Sequence, residues 1–127
     1  MSIATRIIVG TILAWLLAAS VVPAASAKGR EVRAVGSCTK SSTSKIKLSE
    51  ENGRIEVEFE VDQNRNGVRW SIALRQNGQV VRRLVRVTRG PSGSFEARVV
   101  LSNRPGADRI AATASRRGES CNAAATF

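Results

Sequence analysis

The chain of 127 residues has no histidine and no tyrosine, only two cysteines and three prolines, and an aromatic content of 4 %. The missing histidine removes the side chain that most often moves protons near neutral pH, so any acid–base chemistry falls to carboxylates. Two cysteines in an even pair leave no free thiol as a nucleophile once they are joined. Few aromatics also means few surfaces on which nucleic-acid bases could stack. Beyond residue 27 only Phe59, Trp70, Phe95 and Phe127 are aromatic, all on expected inward faces, and no nucleic-acid-binding motif is visible. An enzyme and a nucleic-acid binder are therefore both disfavoured readings. Acidic residues are the minority sign, 10 against 20 basic, for a net charge of +10.

The N-terminus carries Arg6, an apolar stretch from Ile7 to about Ala19, and a small-residue run ending in Ala25-Ser26-Ala27. This is the pattern of a helical, cleavable export signal over residues 1–27. Ile7 to Ala25 is just long enough to cross about 30 Å of hydrocarbon, which makes an uncleaved anchor the competing reading. Pro23 and the small residues favour cleavage, so no stable membrane insertion is expected afterwards. Residues 28–127 then form one secreted domain of a size that benefits from a covalent staple. Cys38 and Cys121 are expected to supply it as a structural disulfide in an oxidising compartment.

The dominant periodicity is two. Ile55, Val57, Phe59 and Val61 alternate with Glu56, Glu58, Glu60 and Asp62, the mark of a half-buried strand. Asn52-Gly53, Asn66-Gly67 and Asn77-Gly78 read as hairpin turns, predicting a four-stranded meander of strands near 44–49, 54–62, 68–76 and 79–88. Further turns at Gly90-Pro91-Ser92-Gly93, Pro105-Gly106 and Arg117-Gly118 separate strands near 94–101, 108–116 and 119–127, and a first strand covers 31–38. About eight short antiparallel strands at even spacing point to an all-β, two-sheet, immunoglobulin-like sandwich. Cys38 shares a face with Val32 and Ala34, and Cys121 with Ala123, Ala125 and Phe127, so both thiols should point inward and join the terminal strands.

Charge is unevenly placed. Residues 28–62 hold seven basic and seven acidic side chains, whereas residues 63–127 hold twelve arginines against Glu96, Asp108 and Glu119. In the meander register, Glu58 faces Arg75 and Glu60 lies one strand from Arg82, so Glu56, Glu58 and Glu60 read as a salt-bridge ladder rather than as a catalytic carboxylate pair. The same register sets Arg69 opposite Arg86, with Arg89 following at the strand end and no carboxylate near them. These three arginines are the expected anion-binding residues, since the guanidinium fork donates paired hydrogen bonds to phosphate, sulfate or carboxylate. Arg83 would point inward with Val81 and Val85 unless a bulge turns it. Asp62, Asn64 and Asn66 open like a calcium loop, but the twelfth position is Ala73 and Arg65 adds a positive charge, so a turn is the preferred reading. Nothing calls for a cofactor.

At Cys38, RIEVEFEV from Arg54 to Val61, DQNRNGVRW from Asp62 to Trp70, RVTRGPSGSF from Arg86 to Phe95, and the stretch from Ala107 to Phe127, the chain resembles small exported actinobacterial proteins without assigned activity. The resemblance implies a secreted immunoglobulin-like sandwich and brings no substrate or site residues. In size and architecture it is also similar to the neocarzinostatin-type apoproteins, which are acidic and carry two disulfides. The expectation is a secreted, non-enzymatic module whose basic half engages an anionic polymer of the cell envelope or its surroundings. The alternatives are a protein-interaction or inhibitor module presenting Arg89 to Gly93, and a small-ligand carrier with a cleft near Ala112, Ala114, Ala123 and Ala125.

Overall fold

Nine strands run through residues 29–127, which with Ser20 and Val21 are the residues that the computed structural model describes. The expected export signal otherwise lies outside them. The strands are β1 Glu31–Val35, β2 Ser37–Cys38, β3 Thr43–Glu51, β4 Arg54–Asp62, β5 Arg69–Gln76, β6 Gln79–Val87, β7 Ser94–Ser102, β8 Arg109–Arg116 and β9 Glu119–Thr126. They form two antiparallel sheets, β1-β3-β4-β7 and β2-β9-β8-β5-β6. The architecture is an all-β, immunoglobulin-like two-sheet sandwich with one disulfide.

The alternation read in the sequence becomes the sandwich interior. Ile55, Val57, Phe59 and Val61 of β4 are fully buried against Trp70, Ile72 and Leu74 of β5 and Ile110, Ala112 and Ala114 of β8. Phe95 sits between the other large rings, 6.2 Å from Phe59 and 6.0 Å from Trp70. The Trp70 indole N–H donates to Gln63 Oε1 at 3.1 Å, and the Arg116 guanidinium covers the ring at 5.5 Å from its centre. Burying this indole therefore leaves no unpaired donor.

The first expected strand, 31–38, is split. At Gly36 the chain leaves one sheet for the other, so that β1 pairs with β3 and β2 pairs with β9. A Cβ on Gly36 would lie 1.7 Å from the Asn122 carbonyl oxygen, so only glycine allows this crossing. Cys38 and Cys121 face each other directly across β2 and β9, with Cα atoms 4.0 Å apart, and are disulfide-bonded. The bridge joins the terminal strands as expected, and it does so within one sheet.

The expected four-stranded meander breaks in its middle. Asn52 and Gly53, and likewise Asn77 and Gly78, all have positive φ and close the two-residue hairpins β3–β4 and β5–β6. At the third pair only Gly67 has positive φ, and Asn64 adopts it in place of Asn66. The segment between β4 and β5 is a crossing from one sheet to the other. It is pinned by Thr88, whose hydroxyl donates to the Arg65 carbonyl at 2.6 Å and accepts the Val68 N–H at 2.9 Å. Consequently β4 pairs with β3 and β7, and β5 pairs with β6 and β8.

A bulge at Val81 also alters the β5–β6 register: Arg75 pairs with Val80, whereas Leu74 pairs with Arg82. From there each β6 residue sits one place away from its expected partner. Arg69 faces Val87, and Arg86 faces Trp70.

Candidate functional site

The two outward faces of the sandwich differ in charge. On the sheet β1-β3-β4-β7, cross-strand register sets Lys45 beside Glu60, Lys47 beside Glu58, and Arg98 beside Glu58. The ladder foreseen for these glutamates exists, but with partners from β3 and β7 in place of Arg75 and Arg82. Lys45 Nζ lies 3.4 Å from Glu60, Arg98 Nη2 lies 2.5 Å from Glu58, and Lys47 closes on the other Glu58 oxygen. The hydrogen bond and charge of Lys47, aided by Arg98, hold the Glu58 carboxyl below the usual carboxylate range against the opposing effect of burial. A shallow depression of about 340 Å³ on this face is lined by Glu58, Glu60, Glu96, Lys45, Lys47 and Arg33. Glu58 is thus a poor proton donor, and Glu60 is already ion-paired. Glu56 goes the other way, raised by a hydrogen bond to the Glu51 carboxyl and by burial.

The outer face of β2-β9-β8-β5-β6 carries no carboxylate. Following the alternation from the buried residues, β5 presents Arg69, Ser71, Ala73 and Arg75, and β8 presents Arg109, Ala111, Thr113 and Ser115. Beyond the bulge, β6 presents Arg83, Val85 and Val87. Cross-strand rows connect them: Ser71 with Val85 and Ser115, Ala73 with Arg83 and Thr113, Arg75 with Val80 and Ala111. Small residues in the middle and longer ones at the margin leave a depression of about 460 Å³, bordered by Arg75, Arg83 and Val85 and floored by Ser71, Ala73 and Thr113. Among the described residues, Arg69, Arg75, Arg83 and Arg109 form no ion pair. The two acidic residues of this half outside β7, Asp108 and Glu119, are both turned into the protein and buried.

Those two carboxylates have structural partners. Asp108 Oδ1 accepts from Gln76 Nε2 at 3.0 Å and Asn77 Nδ2 at 2.9 Å, and its Oδ2 accepts the Arg104 N–H at 2.8 Å. Burial alone pushes this carboxyl up, but the three donors and the Arg104 charge together hold it below its ordinary value. Glu119 is arranged similarly: burial raises it, while the Ser42 hydroxyl and N–H and the Arg116 guanidinium prevail and lower it.

The three arginines singled out in the sequence are not brought together. Arg69 is on the outer face, whereas Arg86, opposite buried Trp70, points to the inner side at the sheet edge. Arg89 lies beyond β6 in an isolated bridge to Ser94. Arg75 and Arg109 were not singled out as anion-binding residues, and the facing of Arg83 depended on a bulge. Period-two parity on β5 already placed Arg75 on the face of Arg69, and the bulge foreseen as the remedy for an inward Arg83 is present, at Val81, and turns Arg83 outward.

No protein-family model, no curated protein and no solved structure matches the chain. The site is therefore read from its own chemistry.

The other expected features are also placed. Asp62 Oδ1 accepts the Asn64 N–H at 3.0 Å, an Asx turn, and among the described residues no three acidic or thiol ligands converge as a metal site. The segment Arg89 to Gly93 is a turn with Arg89 to Ser92 exposed and its ends tied down: Gly93 and Ser94 both donate to the Arg89 carbonyl, and Gln63 donates to the Gly93 carbonyl at 3.1 Å. Gly93 is buried so tightly that a Cβ would lie 2.2 Å from the Arg65 nitrogen. Ala112, Ala114 and Ala123 are fully buried members of the core cluster, and Ala125 packs against it.

Proposed function

We propose that the protein is a secreted, non-enzymatic binding module that engages an anionic polymer through the arginine face of β5, β6 and β8. The observation that carries this reading is the absence of any carboxylate from that face together with four arginines that form no ion pair, Arg69, Arg75, Arg83 and Arg109. Arg69 and Arg75 lie six residues apart on one strand, which separates their Cα atoms by roughly 20 Å. An extended chain with repeated phosphate, sulfate or carboxylate groups can meet both, with Arg83 and Arg109 on neighbouring strands. The low floor of Ser71, Ala73 and Thr113 leaves room for a chain to lie across the sheet, and the serine and threonine hydroxyls offer it hydrogen bonds.

Two features support a binding role over a catalytic one. The chain lacks histidine and tyrosine, and the glutamates beside the opposite depression are tied to Lys45, Lys47 and Arg98. The disulfide is compatible with an extracellular location.

The test is elution of the oxidised protein from immobilised polyphosphate as salt is raised. Ionic contacts weaken under screening, so the wild type should elute at a definite salt concentration and Arg75→Ser/Arg83→Ser well below it. A charge-matched control, Arg65→Ser/Arg89→Ser, should elute near the wild type. Equal losses in the two double variants mean that net charge alone drives retention, and the arginine face is then rejected.

A further inference from the structure

The geometry points to a second anion site, at the open edge between the two sheets, which takes a single tetrahedral oxyanion: a phosphate or sulfate group. There a crevice of about 220 Å³ separates β6 from the end of β7. Its lining includes Arg54, Arg82 and Arg104, together with Gln76, Ser102 and Val81.

The three arginines come from the first residue of β4, the middle of β6 and the segment between β7 and β8, so the tertiary fold alone assembles them. Arg54 arrives because it pairs with Ser102, whose strand forms one wall. Arg82 arrives because the bulge at Val81 turns it to the inner side opposite Leu74, at an edge where a guanidinium can reach out between the sheets. Arg104 is fixed through its own backbone, whose N–H donates to buried Asp108.

Among the described residues none of the three forms an ion pair, and no carboxylate lines the crevice. Asp108 lies behind it with both oxygens already occupied. Gln76 is also committed: its Nε2 donates to the Ser102 carbonyl at 2.7 Å and to Asp108. The wall is therefore hydrogen-bonded internally; in front of it Arg82 Nη1 donates to the Val81 carbonyl at 3.0 Å, which leaves its other N–H groups free, and the Arg104 charge is partly balanced by Asp108. Asp108 offsets at most one of the three positive charges, so an excess of two remains and favours an anion between them, and a tetrahedral oxyanion has acceptor oxygens enough to meet several guanidinium N–H groups. The crevice has about 220 Å³ against about 460 Å³ for the depression on the arginine face, a size that suits one such group.

The Gln76 side-chain amide, buried in the wall, provides a local probe. The oxidised, 15N-labelled protein is titrated with inorganic phosphate at constant ionic strength, and the Gln76 NH2 resonances are followed by NMR. A saturable shift is expected, with binding weakened about tenfold or more in Arg54→Ser/Arg82→Ser, because each loses a charge-assisted contact. Arg75→Ser/Arg83→Ser should leave it unchanged, so this site and the polymer-binding face stand or fall separately. A parallel titration with a hexose phosphate distinguishes an esterified group from the free ion, and binding of either keeps the proposal. No saturable shift with either ligand, the same shift with sodium chloride, or a shift that persists in Arg54→Ser/Arg82→Ser overturns it.

Discussion

Asp108→Asn exchanges one oxygen for an NH2 group with almost no change in shape, at a side chain with 0 % exposure. In its better orientation the amide oxygen replaces Oδ1 and still accepts from Gln76 and Asn77. Its NH2 then confronts the Arg104 N–H, donor against donor, where Oδ2 accepted at 2.8 Å. Losing a hydrogen bond to a charged group costs about 1.5–3 kcal/mol, and the new NH2, buried at position 108 without an acceptor, costs about 1–3 kcal/mol. Relief from burying a charge returns part of this, for a net loss of about 3 kcal/mol at pH 7. In a domain of this size that lowers Tm by roughly 10–20 °C.

The pH dependence gives an independent check. Because the folded carboxyl is held below its unfolded value, its stabilisation is fully present above the unfolded pKa and is lost as pH falls through the folded one. The difference between wild type and Asp108→Asn should therefore be constant from pH 7 to about pH 5 and shrink below about pH 4. Chemical denaturation of the oxidised proteins at several pH values measures both quantities. A difference under about 1 kcal/mol at pH 7, or one that does not shrink in acid, refutes the reasoning.

Gly36→Ala places a methyl group where the Asn122 carbonyl lies only 1.7 Å from the ideal Cβ, and backbone cannot yield as a flexible side chain does. We expect a loss of about 3 kcal/mol in unfolding free energy, read by chemical denaturation, with hydrogen-exchange protection lost first in β1 and β2. Cys38→Ala/Cys121→Ala removes a link between residues 83 apart in sequence. Chain entropy sets the loss at about 4.5 kcal/mol, read by comparing this variant with the oxidised wild type, and a loss under about 1 kcal/mol contradicts that account.

The strands were legible because a half-buried strand writes its environment into every second residue. Residues 54–62 could be read almost directly: β4 spans Arg54–Asp62, with its four apolar side chains inside. The cysteine pair was legible for the same reason, since parity set both thiols on inward faces. What local pattern could not supply was which strand lies beside which. Asn66-Gly67 has the same letters as its two neighbours, yet Thr88, twenty residues beyond Val68, takes hold of that segment where the chain passes to the other sheet.

The candidate site was affected most by these non-local choices. Twelve arginines beyond residue 62 announced a cationic half, and the sequence by itself determined the sign of the charge, the strand content and the covalent link. Only the tertiary structure decided which arginines of different strands share a surface. One bulged residue, Val81, reverses the facing of the residues after it, because strand side chains alternate with a period of two. It turns Arg83 outward to join Arg69 and Arg75, sends Arg82 to the crevice, and parts Arg86 from Arg69. A sequence specifies side-chain parity within each strand through burial, but register between strands is fixed by the packing of the whole sandwich.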